Sequence, residues 1–336
     1  MKKLVMMMIA VLATASLTGC STKESKDQKD EQALSGKVVL YAPSPANLVD
    51  DLVAGFEAKT GVKVEVFQGT TGEITARLEA EKENPVADVV IMASWADGLR
   101  MKEDGELLSY TPAQAEQVYA DWKDADGMLY GTSASAVGVM YNTNEISSLD
   151  ADWKQLASDS AYKGMLAIPD PVKSGSAKDF LAGFINKFGD EGYAILDGLA
   201  ANEMTCPGAN KQALEAVTTG EKPILVAGVD YNAYESKAKG EPVDIYYPAS
   251  GTVINPRPAM ILKSSQNQDN AKAFMDYLLS DEGQQLVVDA YLLPGREDIT
   301  SDVRTNVKDI PVFTIDWTWM VEHSDEIAQR VLDSTK

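Results

Sequence analysis

Apolar and polar positions along this chain switch repeatedly between the period of a strand and that of a helix. Lys37 to Tyr41 is a short apolar run that predicts a strand, and Leu48, Val49, Leu52, Val53 and Phe56 then recur at helical spacing until Thr60-Gly61 ends the helix. Val62, Val64 and Val66 alternate as in a half-buried strand. The stretch Gly69-Thr70-Thr71-Gly72-Glu73 carries a capping-box pattern, with Thr70 as N-cap and Glu73 three residues on, so a second helix is predicted to start there. Ala87 to Met92 predicts a fully buried strand and Trp95 to Lys102 a helix. The order βαβαβ predicts an α/β fold with a mainly parallel sheet.

The second half continues the alternation without repeating the sequence. Met165 to Ile168, Pro223 to Val229, Val243 to Tyr247 and Met260 to Leu262 read as strands. Ser176 to Phe188, Gln212 to Thr218, Ala271 to Leu279 and Glu282 to Ala290 read as helices, the last two separated by a Ser280-Asp281 cap. About 300 residues follow the first hydrophobic segment, enough for a large core and for two lobes rather than one.

That first segment changes the picture. Lys2 and Lys3 precede an apolar run from Leu4 to Leu17, too short for a stable membrane span, and Leu17-Thr18-Gly19-Cys20 forms a lipobox. Residues 1–19 are therefore expected to be an export signal, with Cys20 the first mature residue and the carrier of a diacylglycerol anchor. Residues 20–36 are rich in Lys, Asp, Glu, Gln and Ser, as expected of a solvated tether. The domain is predicted to be exported and held at the outer face of the cell membrane, or in the periplasm or at the outer membrane of a two-membrane cell.

Charge and composition exclude several partners. A formal net charge of -21 repels nucleic acid and anionic lipid, leaving the Cys20 lipid as the membrane contact. Cys206 is the one other cysteine, so no disulfide framework is available, and Thr205-Cys206-Pro207-Gly208 reads as a small hydrophobe beside a turn. The single His323 reads as a surface residue. No nucleophile elbow, Walker loop or dinucleotide fingerprint is present, and one histidine cannot serve both a metal site and a triad. A binding protein is expected rather than an enzyme, monomeric, with no cofactor and no resident metal.

Small polar residues recur at the predicted strand-to-helix junctions: Ser44; Thr70, Thr71 and Gly72; Ser94; Thr132, Ser133 and Ser135; Ser174, Gly175 and Ser176; Gly208, Ala209 and Asn210. Such junctions lie at the carboxyl edge of a parallel sheet, where helix N-termini present unpaired N–H groups to an anion. Each residue alone is an ordinary helix cap; their recurrence points to an anion-binding cleft.

Gly61-Val62-Lys63-Val64, Ala87-Asp88-Val89, Tyr141-Asn142, Ala216-Val217 with Gly220-Glu221, and Ala271-Lys272-Ala273-Phe274 through Glu282-Gly283-Gln284 carry a family resemblance. Together they resemble the type II substrate-binding proteins of ABC importers, in the branch of the ferric-ion-binding proteins and their organophosphate-binding relatives. The resemblance covers Lys37 to Ile299. It implies the periplasmic-binding-protein type II fold: two α/β lobes joined by crossing strands, with the ligand in the cleft and delivered to a permease and its ATPase. The lobes are expected at 37–131 plus 255–295 and at 132–254 plus 296–336.

Iron binders of this branch use a His after the first strand, a Glu after the Ala-Asp-Val strand, and two adjacent tyrosines after the strand that follows the Gly-Glu turn. The matching places here hold Pro45, Ala93, and Asp230 with Tyr231. One phenol and one carboxylate would leave most of a ferric ion's shell to solvent. Tyr246-Tyr247 forms a second pair, but strand alternation puts its rings on opposite faces, as packing residues. The family's anion pocket, a Ser-Gly-Ala turn and an Asn before the Ala-Val helix, is matched by Ser174-Gly175-Ser176 and Asn210. In sugar-phosphate-binding relatives an acidic residue near the former tyrosines holds hydroxyls, a role the resemblance implies for Asp230, although their preceding His is Val229 here.

The ligand expected is a small anionic solute, an organophosphate such as a sugar phosphate, bound by Ser44, Thr70, Thr71, Gly72, Ser94, Ser133, Ser174, Gly175, Ser176, Asn210, Asp230 and Tyr231. Lys173 and Arg257 are further basic candidates, although long basic chains beside turns generally stay in solvent. The alternatives left open are a ferric-iron component, a phosphonate or polyamine component, and a surface-anchored hydrolase or adhesin. A polyamine would need several cleft carboxylates and aromatic walls, supplied only in part by Trp95 and Asp230.

Overall fold

The computed structural model describes residues 34–335; the signal segment, the lipobox with Cys20 and most of the tether lie outside the described residues. In the first half, β1 (Lys37–Ala42), α1 (Ala46–Thr60), β2 (Lys63–Gln68), α2 (Thr71–Ala80), β3 (Val89–Ile91) and α3 (Trp95–Glu103) follow the predicted order, and a short β4 (Leu107–Leu108) that the sequence pattern does not predict comes after them. Then come β5 (Tyr130–Asn142), α4 (Trp153–Ser158), β6 (Leu166–Ala167), α5 (Gly175–Phe188), α6 (Asp190–Ala201), α7 (Asn210–Thr218), β7 (Ile224–Val229), α8 (Asp230–Ala238) and β8 (Val243–Tyr246). The chain finishes with β9 (Ile254–Leu262), α9 (Gln268–Leu278), α10 (Asp281–Asp289), β10 (Leu293–Pro294) and α11 (Trp317–Ser334).

The sheet runs β2-β1-β3-β9-β5-β7-β6. It is mixed, a correction to the mainly parallel sheet that the alternation suggests. β1 is parallel to β2 and β3, and β6 to β7, but β9 runs antiparallel to both β3 and β5, and β5 antiparallel to β7. The physical reason is that β5 and β9 cross the middle of the molecule in opposite directions. β5 pairs with β9 from Tyr130 to Ala136 and with β7 from Val137 to Tyr141.

Thr132, Ser133 and Ser135, expected in a junction loop, lie inside β5 and are buried. Small hydroxyls interrupt the apolar run of this strand, which hides it from a periodicity reading. The first half of β9 is masked likewise, so that only Met260 to Leu262 reads as a strand: Pro256 and Pro258 bracket Arg257, and proline within a run argues against a central strand. The prolines sit where β3 does not pair, since β3 meets β9 only from Ala259 to Ile261.

Strand alternation sorts side chains into separate cores. Val38, Leu40 and Ala42 pack with Phe56, Phe274 and Leu278, while Val39 and Tyr41 on the other face pack with Ile74, Met92 and Met260. A further core gathers Trp153, Phe180, Phe184, Ile224, Met320 and Val331, with α11 lying against α5 and α3. Tyr246 and Tyr247 go to opposite cores: the Tyr246 hydroxyl donates to the Ala151 carbonyl (2.8 Å), the Tyr247 hydroxyl to Asp230 (2.9 Å).

Several signature residues act as staples. Asp88 accepts from the Val39 amide (2.8 Å) and the Ser265 hydroxyl (2.6 Å), pinning β1 to the start of α9. Asn142 donates to the Val217 carbonyl (2.7 Å), tying the end of β5 to α7. The buried Gln284 side chain donates to Thr132 and Leu278 and accepts from the Gly295 amide. His323 is half-buried, stacked on Trp319 at 4.1 Å.

Candidate functional site

The fold brings the starts of five helices to one cavity of about 1360 Å³. Its lining includes Pro45, Ala46 and Asn47 at α1, Thr70 to Glu73 at α2, Ser174 and Gly175 at α5, Ala209 and Asn210 at α7, and Tyr231 and Asn232 at α8. α1, α2, α5 and α8 follow strands and α7 follows the loop after α6, and all five turn their unpaired N–H groups, the positive ends of their dipoles, toward a common space.

Local sequence fixes each terminus. At α2 the capping box is complete: the Glu73 amide donates to the Thr70 hydroxyl (3.2 Å) and the Thr70 amide to the Glu73 carboxylate (2.7 Å). That bond holds the Glu73 carboxyl below its usual range. Ser174 caps α5 by accepting from the Ala177 amide (3.2 Å), and its hydroxyl donates to the Asn210 side chain (2.9 Å). One hydrogen bond thereby couples the starts of α5 and α7. Glycine is required where α2 meets them. A Cβ on Gly72 would lie 2.7 Å from the Val172 carbonyl oxygen, and one on Gly175 2.9 Å from the backbone of Ala93.

Arg257 on β9 also lines the cavity. It is 1% exposed, and its guanidinium donates to the Pro43 carbonyl (3.0 Å) and the Ser44 hydroxyl (3.4 Å). Its Nε has no hydrogen-bond partner, and among the described residues no carboxylate pairs with it. Burial without a counter-charge pushes its pKa down from the ordinary arginine range. Such a group is costly in isolation and favours an anion beside it. Lys173 and Lys211 line the same space, Lys173 exposed and paired with Asp170 at 3.1 Å.

Of the residues singled out from sequence, Ser44, Thr70, Thr71, Gly72, Ser174, Gly175, Asn210 and Tyr231 line the cavity. Ser94, Ser133, Ser176 and Asp230 are not among its lining residues. Ser94 caps α3 and donates to Asp179 (2.7 Å); Ser133 pairs with Arg257 in the sheet; Ser176 lies against Ser135 (3.4 Å) and the Ala93 carbonyl (3.5 Å). Asp230 is fully buried in an ion pair with Arg304, accepts from Tyr247, and receives the Tyr231 amide (2.8 Å). Trp95 is buried in a core and not among the cavity's lining residues either.

Sequence reasoning missed Gln68, Asn47, Lys211 and Asn232, which also line the cavity. Gln68 had a usable signal, as the residue closing an alternating strand at its carboxyl end. At the places for which the sequence resemblance implies iron ligands, Pro45 and Ala93 offer no donor side chain, and burial raises the Tyr231 phenol above its ordinary pKa, against ionisation to tyrosinate. No group of three or more His, Cys, Asp or Glu suited to a metal occurs among the described residues, and none of their helices is long and apolar enough to cross a membrane. Cys206 is half-buried, and burial pushes its thiol up.

Residues 84–323 match the profile described as bacterial extracellular solute-binding protein. Iron uptake protein A1 of Synechocystis sp. is 26% identical over 290 residues, covering 82% of this chain and 79% of that protein. A putative 2-aminoethylphosphonate-binding periplasmic protein of Salmonella typhimurium is 25% identical over 254 residues, covering 73% of each. In fold, the chain is similar to the periplasmic binding protein AfuA from Actinobacillus pleuropneumoniae, solved with exogenous fructose-6-phosphate bound. The TM-score is 0.80 at 23% identity, over 89% of this chain and 98% of that one.

Proposed function

We propose that this chain, which belongs to the family of bacterial extracellular solute-binding proteins, captures a small organophosphate such as a sugar phosphate and hands it to an ABC permease and its ATPase. The observation that carries the reading is the buried Arg257, without a carboxylate partner, in a cavity where the Ser174–Asn210 pair and the start of α2 also present donors. Helix N-termini and hydroxyls bind a dianion without a full counter-charge, which suits cargo that must be released. The carboxylates on the lining are engaged, Glu73 in the capping box and Glu235 with Lys239 at 2.7 Å, which weighs against a polyamine.

The reading includes two lobes, 37–131 with 255–295 and 132–254 with 296–336, closing over the solute as differential affinity for open and closed forms drives the equilibrium. It includes no covalent step. Cys20 carries the lipid that holds the protein at the membrane face. Asp230, already paired with Arg304, is replaced in this reading by Asn232 and Gln68 as partners for the solute's hydroxyls.

The experiment is titration calorimetry with hexose and triose phosphates, using the chain and a Ser174→Ala, Asn210→Ala double variant. Binding that falls at least tenfold in the variant is expected. Full phosphate-ester affinity in the double variant would refute the assignment.

A further inference from the structure

We propose that the cavity holds two anion subsites and takes a solute with an anionic group at each end: a phosphate ester that also carries a carboxylate or a second phosphate. The proposal rests on reading the cavity as a phosphate-ester site and names the class of ester.

The first subsite is the Ser174–Asn210 pair with the starts of α5 and α7, facing Thr71 and Gly72 of α2. The second is built around Arg257. Its guanidinium is fixed by Pro43 and Ser44 at the start of α1, and the buried Tyr231 stands on the same lining. No hydrogen bond joins the two sets, and they arise from different elements: α5 and α7 on one side, β9 and the β1–α1 turn on the other. The Arg257 Nε is buried without an acceptor, so this second group points to an anion independently of any helix terminus.

Size leaves room for a solute that reaches both groups. A volume of about 1360 Å³ exceeds the roughly 300–1,000 Å³ of pockets that enclose drug-sized ligands. A single phosphate at the first subsite leaves Arg257 uncompensated. An amino group at the far end of the solute would meet a guanidinium, while the carboxylates on the lining are bound elsewhere: Glu73 by Thr70, Glu235 by Lys239. A second anion answers the unpaired charge.

The test compares solutes that differ by one anionic group. Glycerol 3-phosphate against 3-phosphoglycerate forms a short pair; glucose 6-phosphate against 6-phosphogluconate and glucose 1,6-bisphosphate forms a long series whose arms separate a carboxylate from a phosphate as the second group. Calorimetry is expected to give the doubly anionic member of at least one series a tenfold or greater advantage. Arg257→Gln should reduce that advantage to within twofold. Because a change at a buried strand position can impair folding, Ser44→Asp provides a second arm: it sets a counter-charge beside the intact guanidinium and should erase the same advantage. Equal affinity within both series, or an advantage that survives both variants, would overturn the two-subsite proposal while leaving phosphate binding standing. If no phosphorylated compound binds at all, the functional reading itself falls, and this proposal with it.

Discussion

Gly72→Ala tests the proposed lobe closure, because it separates the stability of the protein from that of the closed form the proposal requires. Gly72 is the second residue of α2, and alanine is favoured over glycine within a helix by up to about 1 kcal/mol. In a form with the cleft open, the substitution should therefore be neutral or mildly stabilising. In the arrangement seen here the new Cβ would lie 2.7 Å from the Val172 carbonyl oxygen and 3.5 Å from the Lys173 Cα, backbone atoms that cannot swing away. Overpacking of that kind costs about 1–3 kcal/mol. If this contact belongs to the ligand-closed form, affinity should fall by about fivefold to a hundredfold. Melting of the ligand-free protein should meanwhile change little, since about 1 kcal/mol moves a domain of this size by only a few degrees. Calorimetry, thermal melting and small-angle scattering with and without hexose phosphate give the three readouts. Gly61→Ala is the control: Gly61 ends α1 at φ 74° with open space around its Cβ, so it should lower the melting point and leave affinity unaltered. A Gly72→Ala protein that melts several degrees lower yet binds and compacts like the parent would refute the reasoning.

Other outcomes follow from buried charge and from the N-terminus. Asp230→Asn should destabilise the fold by about 3–5 kcal/mol in urea denaturation, because it strands the buried Arg304 guanidinium; a loss under 1 kcal/mol would contradict the ion-pair assignment. Asp179 is fully buried, and desolvation with the nearby Asp97 pushes its pKa up to about 7. The folded chain thus holds this proton more tightly than the unfolded chain, so Asp179's contribution makes stability fall as pH rises from about 4 to about 7. Asp179→Asn should flatten that component of the urea midpoint's pH dependence; parallel curves for variant and parent would count against it. Cys20→Ala should release a soluble exported form, and continued partition of the variant with membranes would contradict lipid anchoring.

Much of the fold was legible because its devices are local. The Thr70–Glu73 capping box, the Ser280 cap, the apolar run of β1 and the alternation of β2 each depend on residues within a few positions. The family signature proved readable for a related reason: Asp88, Asn142 and Gln284 are staples between distant elements, so their spacing encodes tertiary structure. What stayed hidden is non-local. The strand character of β5 and of β9 before Met260 is set by burial on both sides rather than by period, and hydroxyls or prolines obscure it. Asp230 was matched by position to a ligand role, but its partner Arg304 lies far along the chain in an irregular segment, so no local pattern foretells the ion pair. Arg257 shows the reverse. Only the assembled sheet turns a basic residue between prolines into a buried cation without a counter-charge.

Native mass spectrometry of the protein isolated from cells, without added ligand, tests the central claim most directly. The account predicts a co-purifying species that contains phosphorus, is released on denaturation, and is lost from a Ser174→Ala, Asn210→Ala variant. A bound ferric ion, a polyamine or an unphosphorylated sugar in its place would contradict it.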